Sequence, residues 1–369
     1  MKSIYVFSNI YPKYRKGIWD RLLEVENHKI SFFFSNRTID NIAAVSIEKE
    51  YSVNNQKAFK KIDNIYLYKW LIWQKGVLSR TFDSVSVVIF LGEMTVISSW
   101  IASCIFRLRR IKVLFWGHGI YGKESKITLL LRKIFLKLAN HNLVYGERAK
   151  KIMIKHGFKQ NKISVVYNSL NYDYQLNLFQ KLEKEKKNSI FKNNYPVLLF
   201  IGRLTKQKKV NQLIEAVKIL NEKANFNLLI IGEGEEKSNL EGLAQDLIKE
   251  NKCIFYGKSY NEDELSRLIY NSDLTVSPGN VGLTAIHSLS YGTPVCSHSN
   301  FSNQMPEVES IIEGENGFLF RENDILSIVD GIISWFENKK SIDKKKIRVV
   351  VDKFYNPIYQ KEVILKSIN

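Results

Sequence analysis

The sequence predicts an α/β protein made of two Rossmann-like domains, and three observations carry that prediction. Short β-rich apolar runs alternate with segments of helical apolar spacing along the whole chain. Several of the runs end in glycine just where a helix would begin, as at Gly202, Gly232 and Gly279. A length of 369 residues with 45% apolar content is enough for two packed cores, and no short-period repeat is present.

Ser3 to Ser8 reads as a first buried strand. The loop Asn9 to Lys16 follows, then Gly17 and an apolar-periodic helix bearing Ile18, Leu22 and Leu23. This is the opening unit of a Rossmann-like domain, but it lacks G-x-G-x-x-G, so a dinucleotide site is not supported. Ile30–Phe34, Ile65–Tyr68 and Val85–Leu91 are further strands. The apolar stretch Val85 to Phe106 is long enough to raise a membrane span, but Gly92 and Glu93 interrupt it. It reads as a buried strand followed by a helix from Met94 to Arg110.

Lys112–Trp116 is a strand running into Gly117-His118-Gly119. A histidine between glycines at the carboxyl end of a strand stands where open α/β sheets bind ligands, and imidazole can donate, accept or shuttle a proton. Ile127 to Ala139 is a basic amphipathic helix, read as a solvated face in preference to a membrane-facing one. Leu143–Tyr145 and Ile163–Tyr167 close the first domain near Asn168, and the polar, lysine-rich residues 171–195 read as a linker.

The second domain opens with strand Val197–Ile201, then Gly202-Arg203-Leu204-Thr205-Lys206-Gln207-Lys208-Lys209 and a helix from Val210. Arginine as a fixed fork and lysine as a mobile point charge, beside a helix N-terminus, suit a diphosphate. Strands at Asn227–Ile231 and Cys253–Tyr256 and a helix at Glu262–Tyr270 follow. Leu274 to His298 reads as strand, Pro278-Gly279 loop, a slim helix from Gly282, a stop at Gly292 and another strand. The free N–H groups of that helix start favour phosphate. Three helices end the chain, the last opened by the cap pair Asn356-Pro357.

The net charge is +18, and residues 1–180 carry +17 of it. A basic N-terminal half implies an anionic partner: nucleic acid, lipid headgroups or a phosphorylated substrate. Three distant cysteines fit a reducing cytosol without disulfides, no cluster suggests structural zinc, and the start is too polar for a secretory signal.

The ordered segments GRLTKQKKV, IIGEGEE, IFYGKS, SDLTVSPG, GLTAIHSLSYGTPV and NGFLF resemble the C-terminal domain of retaining, nucleotide-sugar-dependent glycosyltransferases of the GT-B fold, family 4 (glycosyl transferases group 1) type. The likeness covers about residues 196–340, with a looser match through Gly17, the His118 loop and VVYNSLNYD. It implies an N-terminal acceptor domain (1–180) and a nucleotide-sugar domain (190–345) facing across a cleft. It also implies a C-terminal segment (346–369) returning to the first domain. By motif position Arg203 and Lys208 would hold the diphosphate and offset leaving-group charge without a metal. His118 would lie near the sugar, with Gly17, Gly202, Gly279, Asn280, Val281, Gly282, Leu283 and Thr284 around the donor.

The family usually carries two glutamates eight positions apart, for the sugar hydroxyls and the ribose. Gly279 and His287 stand at those positions. A neutral histidine can still bond ribose hydroxyls, and Asn280 or Glu307 could compensate for the first. The expected activity is sugar transfer from UDP or GDP, with no further cofactor, to a glycan or lipid-linked acceptor in bacterial surface polysaccharide synthesis. The setting would be cytoplasmic, with peripheral contact to an anionic membrane and no nucleic-acid partner. The alternatives are a GT-B nucleotide-sugar epimerase and a non-catalytic membrane- or nucleic-acid-binding relative.

Overall fold

Strand residues alternate between two buried faces. In β1 (Lys2–Phe7), Ile4 and Val6 enter one core while Tyr5 and Phe7 enter another. In β10 (Val197–Ile201), Leu198 and Phe200 point one way and Val197 and Leu199 the other. Sheets covered on both faces need continuous apolar strands and crossover helices, which is the pattern of a parallel α/β fold.

The computed structural model describes residues 1–35, 45–68, 70–186, 188–338 and 343–369. The chain divides into two units, Met1–Asn171 with Asn356–Asn369, and Tyr172–Tyr355. In the first unit the further strands are β2 (His28–Phe34), β3 (Phe59–Lys61), β6 (Val87–Leu91), β7 (Lys112–Gly117), β8 (His141–Val144) and β9 (Ile163–Val165). They form a parallel seven-stranded sheet ordered β3-β2-β1-β6-β7-β8-β9. An antiparallel hairpin, β4 (Asp63–Tyr68) with β5 (Leu71–Lys75), stands apart from it. Its buried amides hold the loop after β1: Asn64 donates to the Asn9 carbonyl at 2.9 Å and Gln74 to that of Ser8 at 3.2 Å.

The second unit adds β11 (Asn227–Ile231), β12 (Cys253–Gly257), β13 (Leu274–Ser277), β14 (Val295–His298) and β15 (Gly317–Phe320). Its parallel sheet runs β12-β11-β10-β13-β14-β15. The GT-B class expected from the sequence thus holds in its two Rossmann-like units.

Several local expectations are corrected. Within residues 171–195, Tyr172–Leu182 is a helix of the second unit, because Gln175, Leu178, Phe179 and Leu182 form a buried stripe at helical spacing. The strand expected at Ile65–Tyr68 belongs to the hairpin and not to the main sheet. The strand and helix expected from the apolar stretch at Val85 are present as β6 and helix Ile97–Leu108, and among the described residues no helix is long and apolar enough to cross a membrane. The helix expected from Gly282 begins at Thr284.

Helix Lys344–Phe354 packs within the second unit, and the return to the first begins at Asn356. There the Asn356 side chain caps helix Pro357–Ile368 by accepting from the Tyr359 amide at 2.9 Å. Gln360 donates to the Tyr167 carbonyl at 2.9 Å and accepts from Ser169 at 2.6 Å, while Ile364 and Ile368 complete the core around Trp19. The helix is therefore part of the first unit's fold. Ile364→Ala is expected to lower stability by about 2–5 kcal/mol in denaturant unfolding. An unchanged midpoint would show that the helix is peripheral to that core.

Candidate active site

In the second unit β10 lies between β11 and β13, so strand order reverses there. A crevice opens outside the carboxyl ends of strands at such a point. The loops after β10 and β13 carry most of the donor residues expected from the sequence.

The two loops touch through their backbones. Gly279 donates its N–H to the Lys208 carbonyl at 3.1 Å. A Cβ at position 279 would lie 2.2 Å from the Gln207 carbonyl oxygen and 2.7 Å from the Lys208 Cα. No side chain fits there unless the Gln207–Lys208 backbone moves. The same approach brings Lys208 across, where its Nζ donates to the Asn280 carbonyl at 2.7 Å and to Asn280 Oδ1 at 2.9 Å. Burial, then the nearby Arg203, lowers the Lys208 ammonium to about 8, while the Glu307 carboxylate acts to raise it. Arg203, Lys208, Asn280 and Glu307 therefore form one electrostatic group, with Glu307 buried and Arg203 exposed.

Gln304, not singled out from the sequence, fixes the rest of the loop. Its Oε1 accepts from the Val281 N–H at 2.8 Å, and its amide donates to Ser297 Oγ at 2.7 Å and the His298 carbonyl at 2.9 Å. Ser297 in turn donates to the Ser277 and Gly279 carbonyls. Thr284 Oγ1 donates to the Ile201 carbonyl at 3.2 Å, tying helix Thr284–Ser290 to the end of β10 beside Gly202. Gly282 and Leu283 lie in the turn before that helix, where amide N–H groups have no intrahelical acceptor.

His287 makes a different connection. Its Nε2 lies 2.9 Å from Glu262 Oε1, an oxygen that also accepts from Tyr291 at 2.6 Å and Gln175 at 3.0 Å. Despite burial, which acts to raise it, the Glu262 carboxyl is held down at about 2, chiefly by His287 and then by the Tyr291 and Gln175 hydrogen bonds. Glu262 opens helix Glu262–Tyr270, and its pairing is not visible in the letters because Gln175 and His287 lie on two other helices and Tyr291 just past the second.

The first unit has its own reversal point, β1 lying between β2 and β6. Gly92 after β6 and Gly117 at the end of β7 are in close backbone contact: a Cβ on Gly117 would stand 3.1 Å from the Gly92 Cα. The residues that follow them, Glu93 and His118, are thereby set at the same sheet edge. Arg15 is buried, with its guanidinium 5.5, 5.2 and 5.4 Å from the ring centres of Tyr14, Trp116 and Tyr145, and it donates to the Tyr145 hydroxyl. His118 stacks on Tyr121 at 5.4 Å and meets Tyr145 edge-on at 4.9 Å.

Burial, then the charges of Arg15 and Arg132, depress the His118 imidazolium to about 4, so the ring is neutral near pH 7. Burial raises the Glu93 carboxyl against the pull of the same two arginines. Arg132 also pairs with Glu124 at 3.2 Å, and Glu124 accepts from the Tyr121, Gly122 and Lys123 amides, closing the His118 loop. Gly17 has a packing role: a Cβ there would lie 2.9 Å from Pro357 Cγ. Arg15 and Glu93 were missed as site residues. The repeated Gly-Glu and Gly-His endings of neighbouring strands are the signal that marks Glu93.

Two parallel sheets, each with a polar group at its reversal point, define a GT-B architecture. Residues 181–348 match the family model of the glycosyl transferases group 1. The matched residues lie within the C-terminal unit. It is 34% identical over 254 residues to an uncharacterized glycosyltransferase of Methanocaldococcus jannaschii, covering 62% of this chain and 61% of the relative. It is 21% identical over 293 residues to the lipopolysaccharide 1,6-galactosyltransferase of Escherichia coli, covering 73% and 74%. The crystal structure of Anabaena HepE in complex with UDP superposes with TM-score 0.66 at 14% identity, over 100% of this chain and 99% of that one. The matched stretches span 36–61% of the first curated relatives' lengths.

Gly279→Ala is expected to cost at least about 1–3 kcal/mol, because the new Cβ must displace the Gln207–Lys208 backbone. Gly279→Glu should do the same instead of supplying the family's carboxylate. A thermal midpoint equal to that of the parent chain in either variant would contradict this reading.

Proposed function

We propose that this protein transfers a sugar, with retention at the anomeric carbon, from a UDP- or GDP-linked donor to a glycan or lipid-linked acceptor. The setting fits the synthesis of a surface polysaccharide. The observation that carries the reading is the joining of Arg203, Lys208 and the Gly279–Thr284 turn at the reversal point of the second unit's sheet. The family match covering the same residues, and the polysaccharide relative, support it.

A diphosphate entering this site would meet the Arg203 fork, the Lys208 ammonium and amide N–H groups of the 282–284 turn. Negative charge grows on the leaving diphosphate as the glycosidic bond breaks, so these groups bind the transition state more strongly than the bound donor. Lys208 is already partly desolvated and held by Asn280, so little reorganisation is needed at that moment. The cations would supply this stabilisation without a metal, so activity should survive chelation by EDTA. His118, neutral at the working pH, would act as a hydrogen-bond partner for a sugar or acceptor hydroxyl. His287, fixed by Glu262, would offer its other ring nitrogen to the donor.

Arg203→Ala and Lys208→Ala should each lower kcat for donor turnover by about 10²–10³. Unchanged turnover in a nucleotide-release assay would contradict the assignment. Release that needs an added acceptor supports transfer; a new nucleotide sugar formed without acceptor would indicate epimerisation. The Lys208 ammonium is charged below about 8 and lost above it, so donor affinity should fall as pH rises from 7 to 9. That basic limb should be absent in Lys208→Arg, whose charge persists; an identical limb in the variant would show that another group sets it.

A further inference from the structure

Helix Lys126–Lys137 presents apolar residues on two opposite sides. Phe135 and Leu136 enter the first unit's core, as the amphipathic reading expects. Ile127, Leu130, Leu131 and Ile134, at spacing i, i+3, i+4 and i+7, form a second stripe that faces solvent, with Ile127 75% and Leu130 58% exposed. A merely solvated helix has no use for that stripe. Lys126, Lys133 and Lys137, also at helical spacing, make a ridge beside it.

The neighbouring helix Ile97–Leu108 repeats the arrangement. It packs inward through Ala102 and Phe106 and leaves Ile101 and Leu108 outward, Leu108 being 85% exposed. The two helices are joined by Trp100 against Phe135 at 4.9 Å and by Arg107, which donates to the Lys137 and Leu138 carbonyls. The two outward stripes thus lie on neighbouring helices. From residue 97 to 140 the chain has nine lysines and arginines and one acidic residue, Glu124, which is paired with Arg132.

We propose that this two-helix face binds an anionic phospholipid bilayer, lying in the headgroup layer with the Ile127–Ile134 stripe inserted. Lysines flanking an inserted apolar stripe reach up to anionic headgroups, so charge and apolar burial act together. A second copy of the chain docked on the same face would set these positive ridges against each other, whereas a negative leaflet neutralises them. The inference stands apart from the sugar-transfer reading and does not need it.

The test is flotation of the full-length chain with vesicles of phosphatidylcholine alone or mixed equally with phosphatidylglycerol, at low and high salt. Binding is expected only to the mixed vesicles and should weaken as salt rises. Lys126→Gln, Lys133→Gln and Lys137→Gln should each reduce it about fivefold. The double variant Leu130→Ser/Leu131→Ser should reduce it at least about tenfold while leaving the thermal midpoint and UDP binding unchanged. Failure to bind the mixed vesicles, or equal binding by the double variant, would overturn the proposal. A concentration-dependent dimer abolished by the double variant would also overturn it, assigning the face to a second copy.

Discussion

The contact between the loops after β10 and β13 is the constraint on which the second unit's site depends. Gly279 can approach the Gln207–Lys208 backbone only because it has no side chain, and that approach delivers the Lys208 ammonium to Asn280. Gln304 and Ser297 hold the other side of the turn. Glycine at position 279 is therefore a structural requirement of this chain. The close approach takes the space a carboxylate side chain would need.

Electrostatics follow from that geometry. A lysine drawn out of water beside an arginine loses part of its preference for the charged form, and Glu307 restores some of it. The result is a cation held near its titration point, which an incoming anion would recharge. In the first unit the opposite choice is made: burial, then the charges of Arg15 and Arg132, keeps the His118 imidazole neutral. One unit thus presents positive charge, and the other a neutral donor-acceptor ring beside a desolvated carboxyl, Glu93.

Much of the fold was legible in the sequence because its strands are buried on both faces and read as uninterrupted apolar runs. Val197–Ile201, Asn227–Ile231 and Leu274–Ser277 coincide with their predicted limits. Phe59–Lys61 was not foreseen, since a three-residue edge strand with two lysines carries no apolar pattern. The Tyr172–Leu182 helix was hidden by the lysine-rich residues after it, although its stripe was present in the letters.

Sites were legible where the chemistry sits on one loop, as in the Gly202–Lys209 segment. They were not where it depends on distant partners. Arg15 is buried among rings from three separate segments, and the Glu262–His287 pair joins two helices. The outward apolar stripe of Lys126–Lys137 was equally invisible, because periodicity gives the faces of a helix but not which of them the core covers.

Calorimetry of UDP binding at pH 8 in buffers of different ionisation heat tests the Lys208 site most directly. A diphosphate that takes its charge from a lysine titrating near 8 should draw in about half a proton per UDP bound, and Lys208→Met should abolish that uptake. Binding without proton uptake, or the same uptake in the variant, would place the diphosphate away from Lys208 and contradict the proposed site.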